Sequence, residues 1–152
     1  MFRFTKKIGR PALADVTATL TLDQRMKSRS RIALDDGREA GIFLERGESL
    51  KEHDCLATED GIVVKIKAAP ELVSRVETDD PLSLARACYH LGNRHVAVQI
   101  EAGRLRYLHD RVLDEMVRGL GLEVRVEHAP FEPEPGAYGA RAQAHEGHVH
   151  QR

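Results

Sequence analysis

Residues 71–127 read ELVSRVETDDPLSLARACYHLGNRHVAVQIEAGRLRYLHDRVLDEMVRGLGLEVRVE, and along them the spacing of apolar residues switches repeatedly between two and 3.6. Glu71 to Thr78 has the composition of a short strand. Asp80-Pro81 then supplies an N-cap and a first-turn proline, the signature of a helix start. That helix is expected to run to about Leu91, with Leu84, Cys88 and Leu91 on one apolar stripe, Ala85 and Tyr89 beside it, and Gly92-Asn93 in the left-handed conformation that ends it. Val96, Val98 and Ile100 alternate with polar or small neighbours, Ala102-Gly103 makes a turn, and Leu105, Tyr107 and His109 resume the alternation. Asp110 caps a second helix whose face is Val112, Leu113, Met116, Val117 and Leu120, with Gly121 past its end, and Leu122, Val124 and Val126 give a last strand. Strand, helix, strand, strand, helix, strand is the ferredoxin-like βαββαβ order.

The residues before this segment have only the period of two. Val16, Ala18, Leu20 and Leu22 alternate with Asp or Thr over 15–22. Ile32 and Leu34, the pair Asp36-Gly37, and Ile42 to Leu44 make a hairpin; further turns fall at Arg46-Gly47 and Asp60-Gly61, and Ile62, Val64 and Ile66 form another strand that ends at Ala68-Ala69-Pro70. After residue 127, Ala129-Pro-Phe-Glu-Pro-Glu-Pro-Gly136 carries three prolines, which forbid helix and suggest an extended arm. The expected class is α+β: a small all-β domain over residues 1–69, a ferredoxin-like domain with its proline-rich arm over 70–139, and a flexible histidine-bearing tail over 140–152.

Composition narrows the function. The chain has 152 residues, 41% hydrophobic and 31% charged, with 23 Lys plus Arg against 24 Asp plus Glu, so its formal charge of -1 offers no broad field to nucleic acid or an anionic membrane. No stretch approaches the roughly 18 apolar residues of a membrane helix, and the start Met1-Phe2-Arg3-Phe4-Thr5-Lys6-Lys7 lacks the apolar core of a secretion signal, which gives the expectation of a cytoplasmic protein. The two cysteines, Cys55 and Cys88, are far apart and read as reduced core thiols rather than a zinc or disulfide framework.

A P-loop, a GxSxG elbow, an HExxH helix and a CxxC pair are all missing, so the reading is of a protein that is not an enzyme. RNA binding through the sheet of a split βαβ domain needs aromatic residues on the sheet face, and only Tyr107 is available there. Histidine remains: His145-Glu146-Gly147-His148-Val149-His150 gathers three imidazoles at the tail, where they can wrap one borderline divalent cation, the alternative being chance composition or the remnant of a purification tag. His95 follows Gly92-Asn93-Arg94 at a helix–strand junction, where a side chain can face outward. A lone histidine is more often a hydrogen-bonded structural residue; near the two-fold axis of a dimer, however, one His95 per chain becomes a two-nitrogen site that the tails can complete. His53, His90 and His128 read as structural or solvated.

Three stretches, Cys88-Tyr-His-Leu-Gly-Asn-Arg-His95, His109-Asp-Arg-Val-Leu-Asp-Glu-Met-Val-Arg-Gly-Leu-Gly121 and Ala129-Pro-Phe-Glu-Pro-Glu-Pro-Gly-Ala-Tyr-Gly139, closely resemble the UreE family of urease accessory proteins, and Ser30 to Gly47 is similar to that family's first domain. The resemblance implies a cytoplasmic Ni(II) metallochaperone, a homodimer joined through its ferredoxin-like domains, that passes nickel towards the urease apoprotein complex through an accessory GTPase. It implies that His95 is the interfacial metal ligand, that His145, His148 and His150 contribute ligands, and that the first domain binds peptides. Some members carry a second histidine two positions after the one matched by His109, forming a peripheral site; here Arg111 stands there, so that site is not expected. Imidazole equally suits Cu(II) and Zn(II), which are expected to bind in vitro, so the choice of nickel comes from the resemblance alone. The competing class is a nickel or zinc buffer, or a protein-binding adaptor, without a delivery role.

Overall fold

The computed structural model describes residues 1–11 and 13–136, and these divide into two compact units, one over Met1–Ala69 and the other from Pro70 to the end of the described chain. The expected histidine tail lies outside the described residues.

The first unit contains two sheets. Strands β1 (Phe2–Phe4), β5 (Glu39–Phe43) and β4 (Arg29–Ala33) form one, in the order β1-β5-β4; β2 (Lys6–Ile8), β6 (Cys55–Ala57), β7 (Val63–Ala68) and β3 (Val16–Leu20) form the other, in the order β2-β6-β7-β3. The expected hairpin is β4 paired antiparallel with β5, turning at Asp36-Gly37, where Gly37 takes a φ of 94°. Phe4, Leu20, Ile32, Leu34, Ile42, Leu56, Val64 and Ile66 point inward from both sheets and make one core. Leu22 is a correction. Instead of prolonging β3 it opens a short helix, α1 (Leu22–Met26), because Thr21 and Gln24 form a reciprocal capping box that satisfies the first free amides.

Asp35, just past β4, accepts hydrogen bonds from the Thr17 hydroxyl (2.6 Å), the Thr19 hydroxyl (2.9 Å) and the Thr19 amide (3.2 Å). The Thr17 hydroxyl, followed by the Thr19 groups and Lys67, holds its carboxyl below the ordinary carboxylate range against the opposing effect of burial. The Arg104 and Gln99 side chains do the same for Glu101. Groups depressed in the folded state bind protons more readily when unfolded, so their contribution is complete above about pH 4 and is lost as pH falls through the lowered values. We expect urea midpoints to decline below about pH 4, and Asp35→Asn to flatten that decline; an unchanged acid profile in this variant would show that Asp35 is not a source of it.

The second unit is the ferredoxin-like domain. Strands β8 (Pro70–Glu77), β9 (Gln99–Glu101), β10 (Arg104–Leu108) and β11 (Arg125–Pro130) lie in the order β11-β8-β10-β9, with every neighbouring pair antiparallel. Helices α2 (Pro81–Asn93) and α3 (Arg111–Gly119) bury Ala87, Leu91 and Val117 against Val76, Leu105 and Tyr107 on one sheet face. Asp80 and Asp110 cap them as expected, accepting from Leu82 and from Val112 and Leu113.

The expected stripes Leu84, Cys88, Leu91 and Leu113, Met116, Val117 do face the core, and the differences lie at their margins. Tyr89 is 68% exposed and Val112 61% exposed, while Ala87 is buried in α2 and Asp114 in α3. The proline-rich segment is extended as expected but tied down: Phe131 is fully buried, the Glu132 amide donates to Gln99 Oε1 (2.9 Å), and the Glu134 amide donates to Val98 O (2.8 Å).

The opposite sheet face is charged, with Glu127 bridging Arg75 and Arg106 (3.2 Å each) and Glu101 and Glu77 both reaching Arg104. Tyr107 lies on the helix-covered face and is fully buried, so it offers this open face no stacking ring.

Candidate metal centre

The C-terminus of α2 determines how His95 is held. The helix persists through Asn93, two residues beyond the expected stop, and the left-handed residue is neither Gly92 nor Asn93 but His95, with a φ of 61°. The His95 amide donates to Gly92 O (2.9 Å) and the Val96 amide to Leu91 O (3.2 Å), the paired bonds of a Schellman cap. Val96 and Leu91 both belong to the apolar core beneath, completing the motif.

Glycine usually occupies this left-handed position, because a side chain there crowds the backbone. Histidine in its place is a local strain, and strained residues concentrate where function requires them. The His95 side chain is exposed. It also stands beyond the carbonyl end of a 13-residue helix, where unsatisfied carbonyl groups favour a cation.

Replacing His95 with glycine should therefore raise stability by about 0.5–1 kcal/mol, read as a higher urea midpoint, while removing the imidazole. A lower midpoint would mean that the His95 side chain makes a stabilising contact in the folded chain.

The described residues of one chain do not complete a site around it. Among the described residues no group of three His, Cys, Asp or Glu is placed to hold an ion. His145, His148 and His150 lie outside the described residues. His53 is exposed with a φ of 74°, His128 is exposed, and His90 is half-buried with its ring edge-on to Tyr89 at 5.2 Å. Cys88 is half-buried on α2, and burial pushes its thiol above the ordinary value, away from the thiolate a metal needs.

A second polar cluster was not legible in the sequence. Asp114, 2% exposed, accepts from the Ser74 hydroxyl (2.6 Å) and the Tyr107 hydroxyl (2.7 Å) at Oδ1 and faces His109 Nδ1 (3.1 Å) at Oδ2. Burial, then the Asp114 carboxylate, pushes the Tyr107 phenol well above its ordinary value.

Serine, histidine and aspartate here do not make a nucleophilic triad. A relay needs the two imidazole nitrogens to face different partners, whereas Nδ1 of His109 faces both Asp114 and Ser74 Oγ (3.2 Å), and Ser74 is itself fully buried. The cluster joins β8, β10 and α3 from within.

Comparison with known proteins agrees with this architecture across both units. The model of the UreE urease accessory protein N-terminal domain matches residues 4–69, and that of the C-terminal domain matches residues 71–152. The chain is similar to the urease accessory protein UreE of Alkalilimnicola ehrlichii, 61% identical with 91% of this chain and 85% of the relative covered. It is similar to that of Vibrio parahaemolyticus, 54% identical with 99% of each chain covered, and to that of Citrobacter koseri, 53% identical over 99% of this chain and all of the relative. On two matching domains and relatives aligned over nearly their whole length, the chain belongs to the UreE family of urease accessory proteins.

Proposed function

We propose that the protein is a nickel metallochaperone for urease maturation, a homodimer that holds Ni(II) between two copies of His95 and completes its coordination with the tail histidines His145, His148 and His150. The supporting observation is the placement of His95: an exposed imidazole in a left-handed cap position, at the carbonyl end of α2, with too few ligands around it among the described residues. Two copies related by a two-fold axis supply two nitrogens at once, and a tail adds ligands that detach one at a time. Stepwise detachment is what transfer to an acceptor requires. The protein carries the ion without catalysing a reaction.

In this reading the second unit carries dimerisation and metal, the first unit binds a protein partner, and delivery runs through an accessory GTPase to the urease apoprotein complex in the cytoplasm. Copper(II) and zinc(II) compete in vitro because imidazole does not discriminate against them, and copper(II) binds more tightly at a generic nitrogen site.

Deleting residues 145–152 should lower nickel affinity or the number of ions bound without changing the dimer, which depends on the second unit; a truncated chain that sediments as a monomer at the same concentration would contradict that division. Reconstituted urease activation at limiting nickel separates delivery from buffering. A chaperone raises the activated fraction as it is added, whereas a buffer withholds the ion and lowers it.

A further inference from the structure

From Arg25 to Arg31 every second residue is basic: Arg25, Lys27, Arg29 and Arg31. Arg25 turns inward, is 1% exposed, and donates from Nε to Leu20 O, while Lys27 pairs with Asp23 at 3.3 Å. Arg29 and Arg31 are exposed on β4, and among the described residues neither meets a carboxylate. Among the described residues strand β4 is an edge, paired with β5 alone.

The register shows which backbone groups that edge presents. The Leu34 amide donates to Arg38 O and the Leu44 amide donates to Ser28 O, so Ser28, Ser30, Ile32 and Leu34 bond towards β5. In an antiparallel pair the intervening residues point the other way, so the N–H and C=O of Arg29 and Arg31 face outward. The surface beside them is flat. Arg31 and Arg3 flank Gly41, where a Cβ would fall 2.6 Å from Cε2 of Phe43, so the Phe43 ring folds back over the glycine. The Arg3 guanidinium lies 4.1 Å from the centre of that ring, and Arg29 sits opposite Phe43 on the next strand.

We propose that the outer edge of β4 receives an extended acidic segment of a partner protein as an added strand, with carboxylates at alternate positions over Arg29 and Arg31. Main-chain bonds to the outward groups of Arg29 and Arg31 give affinity, and the alternating charges give register and choice of partner.

Charged edge strands also protect a protein against pairing with itself, and this edge does that too, since two basic edges repel. Self-protection leaves one feature unexplained. Where arginines crowd the sheet of the second unit, Arg75, Arg104 and Arg106 are each matched to a glutamate of the same sheet, whereas Arg29 and Arg31 have no such match. An edge that repels its own kind and leaves its cations unmatched selects an acidic strand. The nucleic-acid alternative has less behind it, because the chain as a whole is at -1 and the one ring on this face is already covered by Arg3.

The test uses the full-length, isotope-labelled protein and three probes: an end-blocked (Thr-Glu)5 peptide, an end-blocked (Thr-Lys)5 peptide, and a ten-nucleotide oligothymidylate. The glutamate peptide should slow exchange of the Arg29 and Arg31 amides at least several-fold while leaving those of Ser30 and Ile32 unchanged, a pattern that non-specific charge attraction does not produce. The double variant Arg29→Gln/Arg31→Gln should bind it at least about tenfold more weakly while retaining the unbound spectrum. Absence of that alternating protection, equal binding of the lysine peptide, or tighter binding of the oligonucleotide through the same residues would overturn the proposal. Nickel titration of the same double variant should be unchanged, so this surface and the metal reading fail or stand separately.

Discussion

Replacing His95 with alanine is expected to weaken the tightest nickel-binding step by two orders of magnitude or more, roughly 2.7 kcal/mol per site. The effect is large because one substitution removes two ligands when the site is shared across a two-fold axis. The fold should survive, since the Schellman bonds run through the backbone of His95 and Val96, and a residue other than glycine already holds the left-handed position. Calorimetric titration alongside a thermal melt separates the two effects. Nickel affinity within threefold of the parent protein would remove His95 from the site. A collapsed melt would instead show that the imidazole is structural.

Replacing Asp114 with alanine should destabilise the second unit by about 3 kcal/mol or more, a large share of the 5–15 kcal/mol typical of a whole domain. The carboxylate is 2% exposed and takes the hydroxyl hydrogens of Ser74 and Tyr107, both fully buried, so its loss strips the Tyr107 hydroxyl of its acceptor, leaves Ser74 facing the His109 ring alone, and opens a small void. Tyr107→Phe deletes one donor together with its need and should lose only about 1 kcal/mol. The ordering of the two variants in urea is the informative result. If Asp114→Ala unfolded no more easily than Tyr107→Phe, the carboxylate would not be the centre of the cluster.

What the sequence could disclose follows from how each feature is encoded. The ferredoxin-like order was readable because long segments with strong periods, aspartate caps and turn glycines such as Gly103 and Gly121 all point the same way. Strands β1, β2 and β6 have three residues each, too few to display a period of two, and they form because neighbours supply their hydrogen bonds. The exposure of Tyr89 and Val112 has a different origin: a helical period locates the apolar face, and only packing decides how far its margins are covered. Asp114 was invisible because a buried acid looks like any surface acid until Ser74 and Tyr107 are brought to it from 40 and 7 residues away. His95 was legible as a position, but its left-handed backbone was not, since Gly92 and Asn93 are the residues that ordinarily end a helix that way.

The measurement that bears most directly on the proposed shared metal centre is native mass spectrometry of the full chain during addition of Ni(II) below one ion per two subunits. A site shared between two copies of His95 gives dimers carrying a single ion as the first loaded species, no loaded monomer, and loss of that species in His95→Ala while the empty dimer persists. Loaded monomers, or dimers that retain their first ion without His95, would contradict it.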